Sequence, residues 1–218
     1  MRRFKYILMC LVTVVTFASC SDDEPYRYGD FMYEMVTYMG SEGGRAVFTY
    51  QSYNDSPLFT LTASNMEAAN ANVGQRMLLN YVVDENLNNY KQIVTVKGMS
   101  KVNTDTIVVA KAHSHDTLNM SPLKIESVWR SGNYLNVRCQ IQYTEEPRKM
   151  YLFTTGEVDA EGIMNCYQIQ DLMGAQTYYW VETYFSYYIK PAVNSEDCKV
   201  LRYNVNAETT MFDFRIRN

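Results

Sequence analysis

Residues 134–143 read YLNVRCQIQY, and their alternation is strict. Leu135, Val137, Cys139, Ile141 and Tyr143 fall on one side, Asn136, Arg138, Gln140 and Gln142 on the other. A period of two puts successive side chains on opposite faces of a strand. A one-residue slip would carry the whole apolar set into water, so such a segment specifies a sheet with one buried face. The pattern therefore places Cys139 in a core. It recurs at the end of the chain in TMFDFRIR, with Phe212, Phe214 and Ile216 inward.

Around these anchors the second half of the chain reads as a series of short strands. LKIESVWR precedes YLNVRCQIQY across SGN, a Gly-containing hairpin loop, and KMYLFTT, IMNCYQIQ, TYYWVETYFSYYIK and KVLRYNV follow. Seven antiparallel strands at this spacing predict a β-sandwich. The first half gives FMYEMVTYM, the turn GSEGG, then RAVFTYQSY with Ala46, Phe48 and Tyr50 on one face. PLFTLTAS, QRMLLNYVV and YKQIVTVKGM come next, the last two separated by the polar turn DENLNN, and TDTIVVAK closes this half. NMEAANANVG, which lacks β-branched residues until Val73, reads as a short helix or an irregular crossover. Five or six short strands with one such interruption fit a small closed barrel better than a flat sheet. HSHDTLNMSP, polar and ending in proline, is the expected linker.

The N-terminus is of a different kind. Arg2, Arg3 and Lys5 precede a 12-residue apolar stretch, Tyr6 to Phe17. That length suits the core of a secretory signal, since a spanning helix needs about 20 apolar residues. Ala18-Ser19-Cys20 then resembles a bacterial lipobox, although Phe17 stands where such boxes usually carry leucine. In a lipobox the cysteine thiol is diacylated, and cleavage makes it the new N-terminus; an ordinary secretory signal that contains a cysteine is the alternative. More than one acyl chain, palmitate among them, anchors stably at about 0.8 kcal/mol per buried methylene. Ser21, Asp22, Asp23 and Glu24 resemble the short acidic signal that exports lipoproteins to the outer face of the outer membrane. Otherwise they form a solvated tether.

Charge narrows the partners. The chain carries 20 Lys and Arg, three of them before Cys20, which leaves 17 against 24 acids and a mature net charge of −7. This argues against nucleic acid, which calls for a basic patch or stripe. It also disfavours electrostatic adhesion to an anionic bilayer. Nineteen tyrosines among runs of Val, Thr, Phe and Ile make a β-protein composition.

Candidate sites are few. His113 and His115, with Asp116, make the chain's one histidine pair, but a metal site needs three or four supported ligands. A polar linker provides neither, so no metal and no cofactor are expected. No G-x-S-x-G elbow is present, and both histidines lie in the linker, away from any nucleophile. Glu145-Glu146 precede Pro147 in a turn and read as solvated. Cys166 and Cys198 form a disulfide or remain separate thiols, a choice that depends on their distance. No catalytic residue is assigned, and the chain reads as non-enzymatic.

TYYWVETYFSYY is the stretch most informative for binding. Tyr179, Val181, Thr183, Phe185, Tyr187 and Ile189 alternate as a core face. Tyr178, Trp180, Tyr184 and Tyr188 occupy the other. A strand aromatic on both sides is either buried on both or presents rings to a protein or glycan partner.

Three stretches carry a family resemblance. VGQRMLLNYVV and YKQIVTVKGMSKVNTDTI resemble the end of the N-terminal barrel of NigD-like lipoproteins, a barrel of the oligonucleotide/oligosaccharide-binding (OB) type. PLKIESVWRSGNYLNVRCQIQY resembles the opening of their C-terminal sandwich. The resemblance implies an all-β chain with an OB-like barrel followed by an antiparallel β-sandwich, lipid-anchored in the outer membrane. Its segments would be a signal peptide (1–19), an acidic tether (20–27), a barrel (28–112), a linker (113–121) and a sandwich (122–218). The aromatic strand faces make a binding or accessory module at the cell surface the first expectation, and the resemblance adds bacteriocin immunity or envelope protection as the alternative role. The tyrosine-rich segment 177–205 departs most from the family pattern.

Overall fold

Fourteen strands and one helical turn make up the computed structural model, which describes residues 32–110, 121–205 and 211–217. The expected signal peptide, Cys20, the acids of 21–24 and the pair His113 and His115 lie outside the described residues.

Strands β1 (Met32–Glu42), β2 (Arg45–Tyr50), β3 (Phe59–Ala63), β4 (Arg76–Asn88) and β5 (Lys91–Lys101) form a closed barrel. Its order is β1-β2-β3-β5-β4, with β3 and β5 parallel and all other pairs antiparallel. Closure gives every strand two neighbours, and β1 divides its length between them. β1 pairs with β4 over Met32–Thr37 and with β2 over Thr37–Glu42, and the register shifts between Tyr38 and Gly40. Gly40 has φ +97°, a conformation that favours glycine, so the bulge bends β1 where the barrel turns. Val36, Tyr38, Ala46, Phe48, Tyr50, Leu61, Leu79, Tyr81 and Val94 fill the interior, as the alternation in RAVFTY implies. Truncating a fully buried residue such as Phe48 or Leu79 to alanine costs about 2–5 kcal/mol.

The interruption between β3 and β4 is irregular, and no helix forms. Its alanines instead close the barrel end, with Ala69 buried and Met66 and Ala71 packed against the same core. Asn65 fixes this crossover by exchanging two hydrogen bonds with the Val96 backbone, at 2.9 and 3.0 Å. The polar run DENLNN is likewise more regular than expected. β4 continues to Asn88, so the β4–β5 hairpin is long, with Leu87 and Tyr90 exposed near its tip and its β5 arm paired to β3 from Lys91 on.

The second half is a sandwich of two sheets. One contains β14 (Met211–Arg215), β13 (Val200–Asn204), β11 (Ile163–Asp171), β10 (Lys149–Thr154) and β7 (Val108–Val109), in that order. The other contains β6 (Asn103–Thr106), β12 (Trp180–Tyr188), β9 (Tyr134–Gln142) and β8 (Lys124–Ser131). A single turn, α1 (Lys190–Val193), follows β12. Leu135, Val137, Cys139 and Ile141 all face the shared core, together with Leu152, Met164, Phe185, Tyr187 and Leu201. Phe212, Phe214 and Ile216 pack against it.

Two features differ from the sequence reading. The sandwich holds nine described strands, and three of its pairings are parallel: β6 with β12, β7 with β10, and β11 with β13. In addition, residues 103–109, read as the end of the barrel, pair within the sandwich sheets. The chain leaves β5 and enters one sheet as β6. It then crosses through buried Ile107 and joins the other sheet as β7. TDTIVV carries a strand pattern, but a strand pattern names no partner.

Candidate functional site: the outer face of the four-stranded sheet

The alternation that sends Phe185 and Tyr187 inward sends Trp180, Glu182, Tyr184, Ser186 and Tyr188 outward. Pairing with β9 places these opposite Gln142, Gln140, Arg138, Asn136 and Tyr134. The resulting face has two ends.

At one end it meets the barrel. Arg76, only 3% exposed, reaches from β4 onto the sheet. Its Nε donates to Ser186 Oγ at 3.0 Å, Nη2 to Asn136 Oδ1 at 3.2 Å, and Nη1 to Thr37 Oγ1 at 3.0 Å. Ser186 donates to Asn136 Oδ1 at 2.8 Å, so no polar group of this cluster is left bare. Tyr188 lies beside it, its ring 5.5 Å from that of Tyr134. A second contact joins the SGN turn to the barrel, where the Gly132 amide donates to the Asn54 carbonyl at 2.6 Å.

The other end is open. The Lys124 ammonium sits 4.0 Å from the centroid of the Trp180 ring, within cation–π range. Arg138 bridges two carboxylates, Glu126 at 2.9 Å and Glu182 at 2.6 Å, and Tyr184 donates to Glu182 Oε1 at 3.0 Å. The Arg138 hydrogen bond holds the Glu182 carboxyl below its ordinary range, while partial burial raises the Tyr184 hydroxyl. Such exposed pairs are screened by solvent, so they order side chains more than they stabilise the fold. Trp180 and Tyr184 stand four residues apart on this face, about 13 Å at strand rise. Next to Tyr184 the face runs into a groove of about 280 Å³ under the barrel, between Leu78, Lys101 and Glu182.

The four aromatic residues singled out in the sequence thus divide. Trp180 and Tyr184 share the open half and Tyr188 lies near Arg76. Tyr178 precedes the strand, its ring 6.3 Å from Tyr143. Tyr179, expected in the core, is 61% exposed and stacks on Tyr143 at 5.2 Å and 12°. Regular alternation ends at Gln142 and begins at Trp180, so Tyr143 and Tyr179 lie beyond the strands that would have pointed them inward. Lys124 was not singled out in the sequence: it gains its place only from the register of β8 against β9.

The remaining candidates are structural among the described residues. Cys139, Cys166 and Cys198 are buried free thiols, so Cys166 and Cys198 are not bridged. Burial pushes the Cys139 thiol up to about 12, which leaves it protonated and inert at neutral pH. Glu145 and Glu146 are exposed in their turn. No group of three His, Cys, Asp or Glu side chains among the described residues is placed to hold a metal.

No family model matches the chain, and no curated protein matches it by sequence. Solved structures do match. A NigD-like immunity protein from Bacteroides caccae has 16% identity and a TM-score of 0.58, over 87% of this chain and 94% of that one. A protein of unknown function (DUF1344) from Bacteroides vulgatus has 15% identity and a TM-score of 0.67, over 86% and 92%. A chain described as a lipoprotein from Bacteroides fragilis has 10% identity and a TM-score of 0.60, over 86% and 98%. At these identities the likeness is one of fold: the chain has the all-β fold of a NigD-like protein along most of its length, as its strand patterns implied.

Proposed function

We propose that this chain is a non-enzymatic lipoprotein of the outer membrane, anchored through lipidated Cys20, that contacts a protein or glycan at the cell surface. The observation that carries the contact is the open half of the four-stranded sheet. Trp180 and Tyr184 are fixed there by Lys124, Arg138 and Glu182, leaving ring faces and hydrogen-bonding groups on one plane. Rings held in this way lose little conformational freedom on binding. The lipobox-like Ala18-Ser19-Cys20 and the acids of 21–24 support the address, as does the fold shared with a chain described as a lipoprotein. A second role, protection of the envelope by sequestering a bacteriocin, is favoured by one observation, the fold shared with a NigD-like immunity protein.

Two measurements test this reading. On intact cells, external protease should digest the wild type and spare a variant with Asp22, Asp23 and Glu24 changed to alanine. Equal protection of both would place the protein on the periplasmic side. Cross-linking of the same cells should give an adduct that the Trp180→Ala, Tyr184→Ala double variant loses. Retention of the adduct would remove this face as the contact surface.

A further inference from the structure

On a different side of the molecule three guanidinium groups converge on one cleft of about 410 Å³. It is lined by the β2–β3 connection at Tyr53–Ser56, by Arg130 near the end of β8, and by Arg215, Ile216 and Arg217 at the end of the chain. Among the described residues that line it Asp55 is the one carboxylate, and Arg130 already engages it, with Nη1 at 3.0 Å from Oδ1 and Nη2 on Oδ2. Arg130 is 6% exposed, and its Nε is buried with no hydrogen-bond partner among the described residues. Arg217 donates to two backbone carbonyls, Val193 O at 3.3 Å and Asn194 O at 3.2 Å, which neutralise no charge. Arg215 has neither a hydrogen bond nor an ion pair from its side chain among the described residues.

The described lining thus carries three positive charges against one negative, in a chain whose formal net charge is −4. A concave pocket of one sign focuses its field on ligands of the other. Guanidinium forks match the geometry of carboxylate and phosphate oxygens, and more weakly hydrated than ammonium, they bind such groups well in partly buried sites. The rim adds a second chemistry. Tyr53 is 65% exposed, and its turn is held by the Ser56 amide donating to the Tyr53 carbonyl at 2.9 Å. An exposed ring beside a cationic pocket suits a ligand with a flat, partly apolar body and one oxyanion. The acidic balance of the whole chain disfavours an extended polyanion such as nucleic acid.

We infer that this cleft binds an acidic saccharide, a sugar ring bearing a carboxylate or phosphate, with Arg215 and Arg217 on the oxyanion and Tyr53 against the ring. The inference stands apart from the sheet face described above, and neither depends on the other. Calorimetry on the full lipidated chain in detergent micelles tests it, with glucuronate, glucose 6-phosphate, glucose and inorganic phosphate as probes. One or both acidic sugars should bind at low salt and weaken as salt rises; the tighter of the two identifies the oxyanion. Arg215→Gln, an exposed change that leaves the Arg130–Asp55 pair in place, should weaken binding about tenfold, the value of a charge-assisted hydrogen bond. Tyr53→Ala should weaken the sugars and leave inorganic phosphate unchanged. Three results would overturn the inference: neither acidic sugar binding at millimolar concentration, glucose binding as well as they do, or Arg215→Gln matching the wild type. Inorganic phosphate equal in affinity to glucose 6-phosphate would overturn the saccharide assignment.

Discussion

The guanidinium of Arg76 lies 4.6 Å from the centroid of the Tyr134 ring, and its three hydrogen-bond acceptors, Ser186, Asn136 and Thr37, are all neutral. Burial lowers the guanidinium to about 10, so it remains a cation at neutral pH. A charge without a carboxylate partner among the described residues holds barrel to sandwich here, through a planar fork and a ring face. Arg76→Ala is expected to cost about 2–4 kcal/mol, because it strips buried acceptors of their donor and leaves a gap over Tyr134. Arg76→Lys should recover less than half of that, since one ammonium cannot reproduce the fork. Urea unfolding provides the measurement. Both tryptophans, Trp129 and Trp180, sit in the sandwich, so their fluorescence reports that half alone, and circular dichroism reports both. Coincident transitions with unchanged midpoints in the alanine variant would contradict this.

Glu34 has the inward parity of Val36 and Tyr38, and burial raises its carboxyl above the ordinary range. Burial raises the hydroxyls of Tyr50 and Tyr81, and the Glu34 charge adds to that rise. A carboxyl raised in the folded state favours folding most when protonated, and that contribution disappears as pH climbs through its folded value. Glu34→Gln should therefore raise the melting temperature at pH 7 and have little effect below the pH where free glutamate protonates. A melting series over pH would reveal it; an equal gain at all pH values would mean that charge burial is not the cause.

The thiols of Cys139, Cys166 and Cys198 are buried at 0% exposure. A thiol reagent should label none of them in the native protein and all of them in denaturant. Rapid native labelling of any one would show that the sandwich core opens far more readily than its packing implies.

Gly132 has φ +55°, and an added Cβ would lie 2.1 Å from Gln51 Oε1. Gly132→Ala should cost about 1–3 kcal/mol, combining backbone strain with displacement of a side chain that itself donates to Ser56 O at 2.7 Å. Denaturant titration measures this. A neutral result would show that the turn and Gln51 relax together.

A sandwich fragment beginning at residue 122 lacks β6, β7 and the buried Ile107, whereas one beginning at 102 keeps them. The longer fragment should unfold cooperatively and the shorter should not, as scanning calorimetry would show. Equal cooperativity would make the two short strands dispensable.

These elements also explain what a sequence can disclose. YLNVRCQIQY and RAVFTY were legible because local alternation and a buried face dictate the same register. Tyr179 was not, because the pattern continued past the point where strand geometry stopped. The strands at 103–109 were legible as strands and not as members of a sheet, since their partners lie some 80 residues away in β12 and some 45 away in β10. The Arg130–Asp55 pair and the convergence of Arg215 and Arg217 on it left no local signal, because they join residues from both halves of the chain. Trp180 and Tyr184 were found from an outward parity that needed only their own strand.

The path from β5 through β6 to β7 makes one ribbon the wall of the barrel, the edge of one sheet and the edge of the other. A cut anywhere from 103 to 109 strips the sandwich of an edge strand it cannot replace, so a break between the two halves can fall only where β5 passes into β6. In gene fusion and domain shuffling the sandwich should carry this ribbon with it, and variation between relatives should collect in loops and on faces, with the junction kept at constant length.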